Sequence, residues 1–210
     1  MNLVIITSVI NISRNPLDYA KIRSVYSVQE RYEQTIKTLQ SLSAIPNKHV
    51  LFVETSELTP EQESEIKKYT DFYVNAVDSE EVRNVINGPY KAAAESTQIL
   101  EGLKIVDLSK YENIFKISGR YWLDQNFDFE RYNNDHNIFL EGPNQSALAT
   151  VMYKINKNYL DLYNNTLNFC KTSQGMLEAD FITFFRNKYT ATNKLGISGN
   201  VSVDGNPISW

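Results

Sequence analysis

The sequence has 210 residues, enough for one globular domain whose core needs no disulfide or metal to be stable. Its net charge of −4 argues against a nucleic-acid partner, because a non-specific nucleic-acid surface needs an excess of clustered lysine and arginine. The single cysteine, Cys170, excludes an internal disulfide and a cysteine-rich zinc site. With two histidines, the chain has little material for a histidine metal cluster or a Ser-His-Asp triad.

The first predicted element is a strand at residues 3–9, a continuous β-branched run typical of a strand covered on both faces. This run is too short to span a bilayer and has neither a basic start nor a cleavage site, so we expect no transmembrane segment and a cytoplasmic location. Apolar residues then recur every three or four positions from residue 29 to residue 42, which predicts a helix that ends before Pro46.

A second strand is predicted at residues 49–53, followed by a helix start at Thr59. There Pro60 suits the first helical position and Gln62 completes a capping box. The remaining predicted elements are a strand at 71–77, a helix at 90–106, strands at 113–117, 137–140 and 147–153, and helices at 158–169 and 176–186. The tail at 195–210 is rich in glycine, serine and asparagine and predicts a surface loop.

This alternation of strands and helices predicts an α/β fold with a central, mostly parallel sheet of about six strands flanked by helices, in one domain over residues 1–210. In such sheets ligands bind beyond the carboxyl ends of the strands. The polar segments at these ends are Thr7-Ser8-Val9, Glu54-Thr55-Ser56, Asp78-Ser79-Glu80 and Ser118-Gly119-Arg120-Tyr121. We therefore expect the functional site among these segments.

The turn after the first strand lacks the glycine fingerprint of dinucleotide-binding folds, and no Walker loop occurs in the chain. Dinucleotide redox chemistry and P-loop phosphate hydrolysis therefore lose their best sequence marker. A nucleotidyltransferase usually begins with a glycine-rich, basic loop, and the turn after Val9 is not of that kind.

Asp78 and Glu80 form an acidic pair after the third strand. Two oxygen ligands two residues apart in an extended loop can both reach one hard cation such as Mg or Mn. The alternative interpretation is a solvated acidic helix start, since carboxylates favour a helix N-terminus.

Ser118, Gly119 and Arg120 follow the buried fourth strand, where glycine permits a close approach of backbone to a ligand. The planar guanidinium of Arg120 suits a diphosphate, and Lys116 would add charge. The alternative is a glycine bend with Arg120 paired to a surface acid.

Glu178 and Asp180 stand at the start of the last predicted helix. A carboxylate there can deprotonate an acceptor hydroxyl if it lies within hydrogen-bond reach. Compensation of the helix dipole is the alternative for both residues.

In their order along the chain, these segments resemble the GT-A class of nucleotide-sugar glycosyltransferases, and the whole chain is most similar to the glycosyltransferase domains of chlorella viruses. The segments that carry the resemblance are residues 3–9, 30–35 and 53–56, 91–95, 115–121 and 178–180. The resemblance implies transfer of a hexose or deoxyhexose from a UDP-sugar to the hydroxyl of a glycan acceptor, with a viral capsid or surface glycan as product and the host cytoplasm as location. The alternative function is a non-catalytic carbohydrate- or nucleotide-binding module of the same fold.

The resemblance also implies roles for individual residues. Thr7, Ser8 and Val9 would wrap the base and Glu54 would help to hold the nucleoside. Lys91, Ser118, Gly119 and Arg120 would contact the donor, and Glu178 or Asp180 would be catalytic. The family normally holds Mn or Mg with an Asp-x-Asp motif after the fourth strand, but this chain has Ser118-Gly119-Arg120 there. Either Asp78 and Glu80 supply the metal ligands, or Arg120 replaces the metal as the positive group.

Overall fold

A computed structural model describes residues 1–13, 15–141 and 146–210. Its strands are β1 (Asn2–Ser8), β2 (Lys48–Glu54), β3 (Phe72–Asn75), β4 (Asn113–Ser118), β5 (Tyr121–Leu123), β6 (Ile138–Leu140), β7 (Met152–Asn156), β8 (Thr190–Thr192), β9 (Ile197–Asn200) and β10 (Pro207–Ser209). Its α-helices are α1 (Val28–Ser41), α2 (Pro60–Lys67), α3 (Glu80–Ile86), α4 (Lys91–Leu103), α5 (Leu160–Cys170) and α6 (Leu177–Phe185). None of the helices in these described ranges is long and apolar enough to cross a membrane.

The main sheet has seven strands in the order β3-β2-β1-β4-β7-β6-β8. The four strands β3, β2, β1 and β4 run parallel, whereas β7 is antiparallel to both of its neighbours. The prediction of an α/β fold on a mostly parallel sheet is therefore confirmed. That residues 1–210 form one domain stays a prediction.

Strand β1 lies at the centre of the sheet and is buried along its whole length. Because side chains alternate across a strand, Leu3 and Ile5 pack into the core under α4, α5 and α6, whereas Val4 and Ile6 pack into the core under α1. This double burial explains why the predicted strand has no polar position before its end. The parallel arrangement brings the carboxyl ends of β1, β2 and β4 to one edge of the sheet.

Two helices begin with complete capping boxes. Thr59 and Gln62 cap α2 reciprocally, as the sequence predicts, with Pro60 at the first helical position. Ser27 and Glu30 cap α1 in the same way. These caps fix where the chain turns from loop to helix, and α1 presents its buried face to the sheet.

The tail is not a surface loop, and this prediction is wrong. Its strands β9 and β10 join β5 in a second sheet of order β10-β9-β5, and the packing against Tyr121 supplies order that the polar composition does not. The strand expected at 147–153 lies instead at Met152–Asn156, and it extends past residue 153 because the polar residues Lys154 and Asn156 are buried and continue the pairing with β4. Helix α3 agrees with the alternative interpretation of Asp78 and Glu80, an acidic helix start, since Ser79 is its N-cap residue and Glu80 lies in its first turn.

Gly199 pairs with Tyr121 where β9 meets β5. A Cβ at this position would overlap the Tyr121 ring and stand 2.8 Å from the Arg120 carbonyl oxygen. We expect Gly199→Ala to lower the free energy of unfolding by about 1–3 kcal/mol, because backbone cannot move aside cheaply. Gly175→Ala is the matched control, since its added methyl meets only side-chain atoms, the Ser173 hydroxyl at 3.1 Å and the Asp180 carboxylate at 3.5 Å. Equal urea-denaturation midpoints for the two variants would show that the β5–β9 contact is not tightly packed.

Candidate functional site

A cavity lies beyond the carboxyl ends of β1 and β4, the edge at which the sequence predicts the site. Its wall is formed by the ends of β1 and β4, by one face of α4, by α1 and by the chain before α1, and by the turn between β9 and β10. The predicted residues on this wall are Thr7, Ser8, Val9, Lys91, Ser118, Gly119 and Arg120. The wall residues that were not predicted to bind include Leu17, Tyr19, Arg23, Arg31, Asn87, Glu95, Gln98, Ser202 and Val203.

The floor of the cavity is a close junction between β1 and the chain that leaves β4. The Gly119 N–H donates to the Thr7 carbonyl at 2.8 Å, and the Thr35 hydroxyl of α1 donates to the Gly119 carbonyl at 3.0 Å. A Cβ on Gly119 would lie 3.2 Å from the Thr7 oxygen and 3.3 Å from the Ser8 Cβ, tighter than ordinary contacts. Glycine therefore permits the approach that aims Arg120 into the cavity.

Glu54 is not on the cavity wall. Its side chain is fully buried at the end of β2, and its Oε1 accepts hydrogen bonds from the N–H groups of Ile10, Thr55 and Ser56 at 3.0–3.1 Å and from the Ser56 hydroxyl at 2.7 Å. Burial raises the pKa of this carboxyl, although the hydrogen bonds oppose the shift. In this position Glu54 shapes the loop after β1, while its Oε2 is buried and accepts no hydrogen bond from the described residues.

Gln98 of α4 also holds the ends of β1 and β2 in place. Its amide donates to the carbonyls of Ser8 and Val53, both at 2.7 Å, and so joins α4 to the ends of β1 and β2. The sequence gives no marker for this role, because an isolated glutamine in a helix is usually solvated. The only signal for burial of Gln98 is its position four residues after Ala94, on the same helix face.

Four basic side chains line the described part of the cavity: Arg23, Arg31, Lys91 and Arg120. The acidic side chain on the described part of its wall is Glu95, which forms an ion pair with Lys116 beneath the cavity. The cavity therefore carries a strong excess of positive charge, although the chain as a whole is acidic. An excess of this kind attracts anionic ligands.

Arg31 was not predicted as a site residue, yet it is nearly completely buried behind the cavity. Its guanidinium donates to the Val9 carbonyl and to the hydroxyls of Ser24 and Ser202. Burial, and after it the positive charge of Arg120, lower the pKa of Arg31 to about 9. The signal in the sequence is a basic residue on the buried stripe of α1.

Lys116 and Glu95 make a buried ion pair between β4 and α4. The Lys116 ammonium also donates to the Ser118 hydroxyl at 2.8 Å and to the Thr150 carbonyl at 2.7 Å. Burial would raise the pKa of Glu95, but the positive charges of Lys116 and Lys91 outweigh it and hold that pKa below its usual value. The pair therefore stays ionised, and Lys116 does not supply free charge to the cavity.

Glu178 reaches the same network through Thr150, whose hydroxyl donates to the Glu178 carboxylate at 2.9 Å. Burial lowers the pKa of Lys91, but the negative charges of Glu95 and Glu178 outweigh it and raise that pKa above its usual value. Glu178 is not among the described residues that line the cavity, but its charge acts on the wall residue Lys91. This position is compatible with the predicted catalytic role.

Asp180 points elsewhere, because residues two apart on a helix lie on nearly opposite faces. Its Oδ2 is buried and accepts no hydrogen bond within the described parts of the chain. Its charge contributes, after burial, to raising the pKa of the Cys170 thiol to about 12. The structure therefore separates the two predicted carboxylates, with Glu178 next to Thr150 and Asp180 near Cys170.

The predicted metal ligands Asp78 and Glu80 are exposed at the beginning of α3 and are not on the cavity wall. The cavity meets the other end of this helix, at Ile86 and Asn87, roughly 9 Å further along the axis at 1.5 Å per residue. Across residues 1–13, 15–141 and 146–210, no group of three or more His, Cys, Asp or Glu side chains is arranged to hold a metal ion. The residues at the cavity do not fit the metal that the sequence resemblance implies.

Replacing Lys116 by methionine leaves Glu95 as an unpaired buried carboxylate. We expect Lys116→Met to cost about 3–5 kcal/mol of unfolding free energy, and the double variant Lys116→Met/Glu95→Gln to recover most of it. A double-mutant cycle by urea denaturation measures this coupling. Because the folded pKa of Glu95 is lowered, its contribution is present above its unfolded pKa of 4.5 and is lost as the pH falls through the folded value. Simple additivity of the two substitutions would contradict a coupled pair.

The order of the main sheet, the antiparallel β7 and the cavity at the ends of β1 and β4 define the GT-A glycosyltransferase fold. One similar solved structure is a glycosyltransferase involved in the glycosylation of the major capsid of PBCV-1, with 7% identity over 91% of this chain and 81% of that chain and a TM-score of 0.50. Another is core-mannan synthase A from Aspergillus fumigatus in its Mn/GDP form, with 11% identity over 95% of this chain and 74% of that chain and a TM-score of 0.52. No protein-family model and no curated protein matches the sequence. The predicted resemblance to the GT-A class is confirmed for the fold.

Proposed function

We propose that this protein is a glycosyltransferase that moves a sugar from a nucleoside diphosphate sugar to the hydroxyl of a glycan. The observation that carries the proposal is the positively charged cavity at the carboxyl ends of β1 and β4, inside a GT-A fold. A nucleoside diphosphate is the anion whose size and charge suit a cavity walled by four basic side chains and by strand-end backbone.

The donor's base would lie against the end of β1, where Thr7, Ser8 and Val9 form the wall. Its diphosphate would extend toward Lys91 and Arg120 on the opposite side of the cavity. We retain a UDP-sugar carrying a hexose or deoxyhexose as the first candidate donor, and a GDP-sugar is the second because a structure of similar fold is a GDP complex. A glycan of a viral capsid or surface as product rests on the sequence resemblance.

Glu178 is the proposed catalytic carboxylate. In an inverting reaction the acceptor oxygen bonds to the anomeric carbon, the bond from that carbon to the diphosphate oxygen breaks, and Glu178 takes the acceptor proton. In a retaining reaction the same carboxylate would stabilise positive charge on the sugar ring. The Thr150 hydroxyl, hydrogen-bonded to Glu178, would fix its orientation in either case.

A direct test is incubation of the protein with UDP- and GDP-sugars, with release of free nucleoside diphosphate followed by chromatography. Slow hydrolysis of one donor in the absence of an acceptor is the expected result. A chain that binds a donor and never turns it over, with or without a panel of glycan acceptors, would instead be a non-catalytic nucleotide- or carbohydrate-binding module. Binding of neither donor would remove the proposal.

Glu178→Gln removes the carboxylate but keeps the shape and the hydrogen bond with Thr150. We expect turnover to fall by about 10²–10⁴-fold, the usual contribution of a general base, while donor affinity changes little. Asp180→Asn is the matched control on the other face of α6, and its turnover should stay close to that of the unchanged protein. Initial rates at saturating donor compare the turnover of the two variants. Equal losses in both would argue against a specific role for Glu178.

A further inference from the structure

We propose that the cavity binds the diphosphate of its donor directly through Lys91 and Arg120, with no divalent metal ion between protein and phosphate. This inference rests on the proposed function, because it concerns the same donor. It differs from the metal-dependent site that the sequence resemblance implies.

The chemistry of the available donors argues against a metal at this position. Mg and Mn prefer carboxylate oxygens, yet the chain leaving β4 presents Ser118, Gly119 and Arg120 where the metal ligands would stand. Glu95 is the carboxylate on the described wall, and Lys116 already neutralises it. A cation placed here would meet four basic side chains and would be repelled.

The basic side chains divide into two kinds. The guanidinium groups of Arg23 and Arg31 donate hydrogen bonds to protein carbonyls. Arg23 donates to the carbonyls of Asn15, Ile86 and Gly88. Arg31 donates to the carbonyl of Val9. These two arginines hold the cavity wall together and add charge behind it.

Lys91 and Arg120 have a different environment. Neither side chain donates a hydrogen bond or forms a salt bridge to any residue in the described ranges, and Arg120 has only an aromatic contact, 5.5 Å from the Tyr121 ring centroid. Both line the cavity, one from the first residue of α4 and the other from the turn after β4. On the described wall they are therefore the two cations with unused donors, and a diphosphate can accept from both.

Two further electrostatic contributions favour binding of an anion next to Lys91 and Arg120. Arg120 and Arg31 are close enough for their charges to repel, as the lowered pKa of Arg31 reflects after the larger effect of burial, and a bound anion would relieve that repulsion. In addition, no side chain caps α4 at Tyr90, so the positive end of this helix adjoins Lys91.

Catalysis by this arrangement needs no further reactant. When the bond between the anomeric carbon and the diphosphate oxygen breaks, the electron pair stays on that oxygen. Lys91 and Arg120 stabilise the added negative charge by donating hydrogen bonds to the departing diphosphate. The acceptor oxygen forms the new bond and its proton leaves to Glu178, so that atoms and charges balance.

Titration calorimetry with uridine, UMP and UDP, and in parallel with GMP and GDP, tests the proposal, first in EDTA and then with Mn. We expect affinity to rise with each added phosphate in EDTA, and Mn to change the affinity of the preferred diphosphate by less than about threefold. Binding should also weaken as salt is raised, because the contacts are ionic. Diphosphate binding only in the presence of Mn would overturn the inference and leave the proposed function standing.

Five substitutions locate the contact. Arg120→Gln and Lys91→Gln should each weaken diphosphate binding in EDTA by about 10- to 100-fold, as expected for loss of a charge-assisted hydrogen bond, with little effect on uridine or guanosine. Asp78→Asn and Glu80→Gln are the matched controls and should leave binding unchanged. The titrations are repeated in Mn, where a loss confined to the acidic variants would instead support the predicted acidic metal site. Thermal melts check that each variant folds, and Arg120→Lys should retain part of the affinity.

The two proposals fail in distinguishable ways. If neither UDP nor GDP binds in EDTA or in Mn, both the proposed function and the inference are overturned. If a diphosphate binds in EDTA but Arg120→Gln and Lys91→Gln keep full affinity, the donor site stands and the assigned contacts are wrong.

Discussion

The close approach of Gly119 to the end of β1 is the constraint on which the site depends. Two hydrogen bonds, from the Gly119 N–H to Thr7 and from Thr35 to the Gly119 carbonyl, hold the chain after β4 against the first strand. With a larger residue at 119 the neighbouring atoms of Thr7 and Ser8 would have to shift, which would loosen the contact that places Arg120 on the cavity wall. The central pairing of β1 with β4 thus brings the end of β1 and Arg120 to one cavity.

Charge is distributed in two layers around this junction. In the lower layer Lys116 and Glu95 neutralise each other between β4 and α4, where an unpaired charge would be costly. In the upper layer none of the basic side chains on the described wall forms a salt bridge, although the charges of Glu95 and Glu178 act on Lys91. A protein of net negative charge has thus concentrated positive charge at one edge of its sheet, the pattern expected of a site for an anionic ligand and not of a general polyanion-binding surface.

The sequence predicted the parts of the fold that depend on local rules. The buried run in β1, the reciprocal cap at Thr59 and the polar ends of β1 and β4 each have a direct signature in composition or spacing. The cavity residues Arg31 and Gln98 could not be predicted as site residues, because their roles come from carbonyls that only the folded chain brings near them. The tail was misread for the same reason, since its order comes from pairing with β5 and not from its own residues.

The second sheet has a consequence for when the cavity forms during folding. Ser202 receives a hydrogen bond from Arg31 and donates one to the carbonyl of Arg23, a residue 179 positions earlier in the chain. Contacts this distant in sequence form late, because the loop between them must first be closed. On the ribosome, the parallel strands β1 to β4 would emerge well before the turn that completes the wall. A nascent chain would therefore hold most of its fold while its ligand cavity is still open on one side.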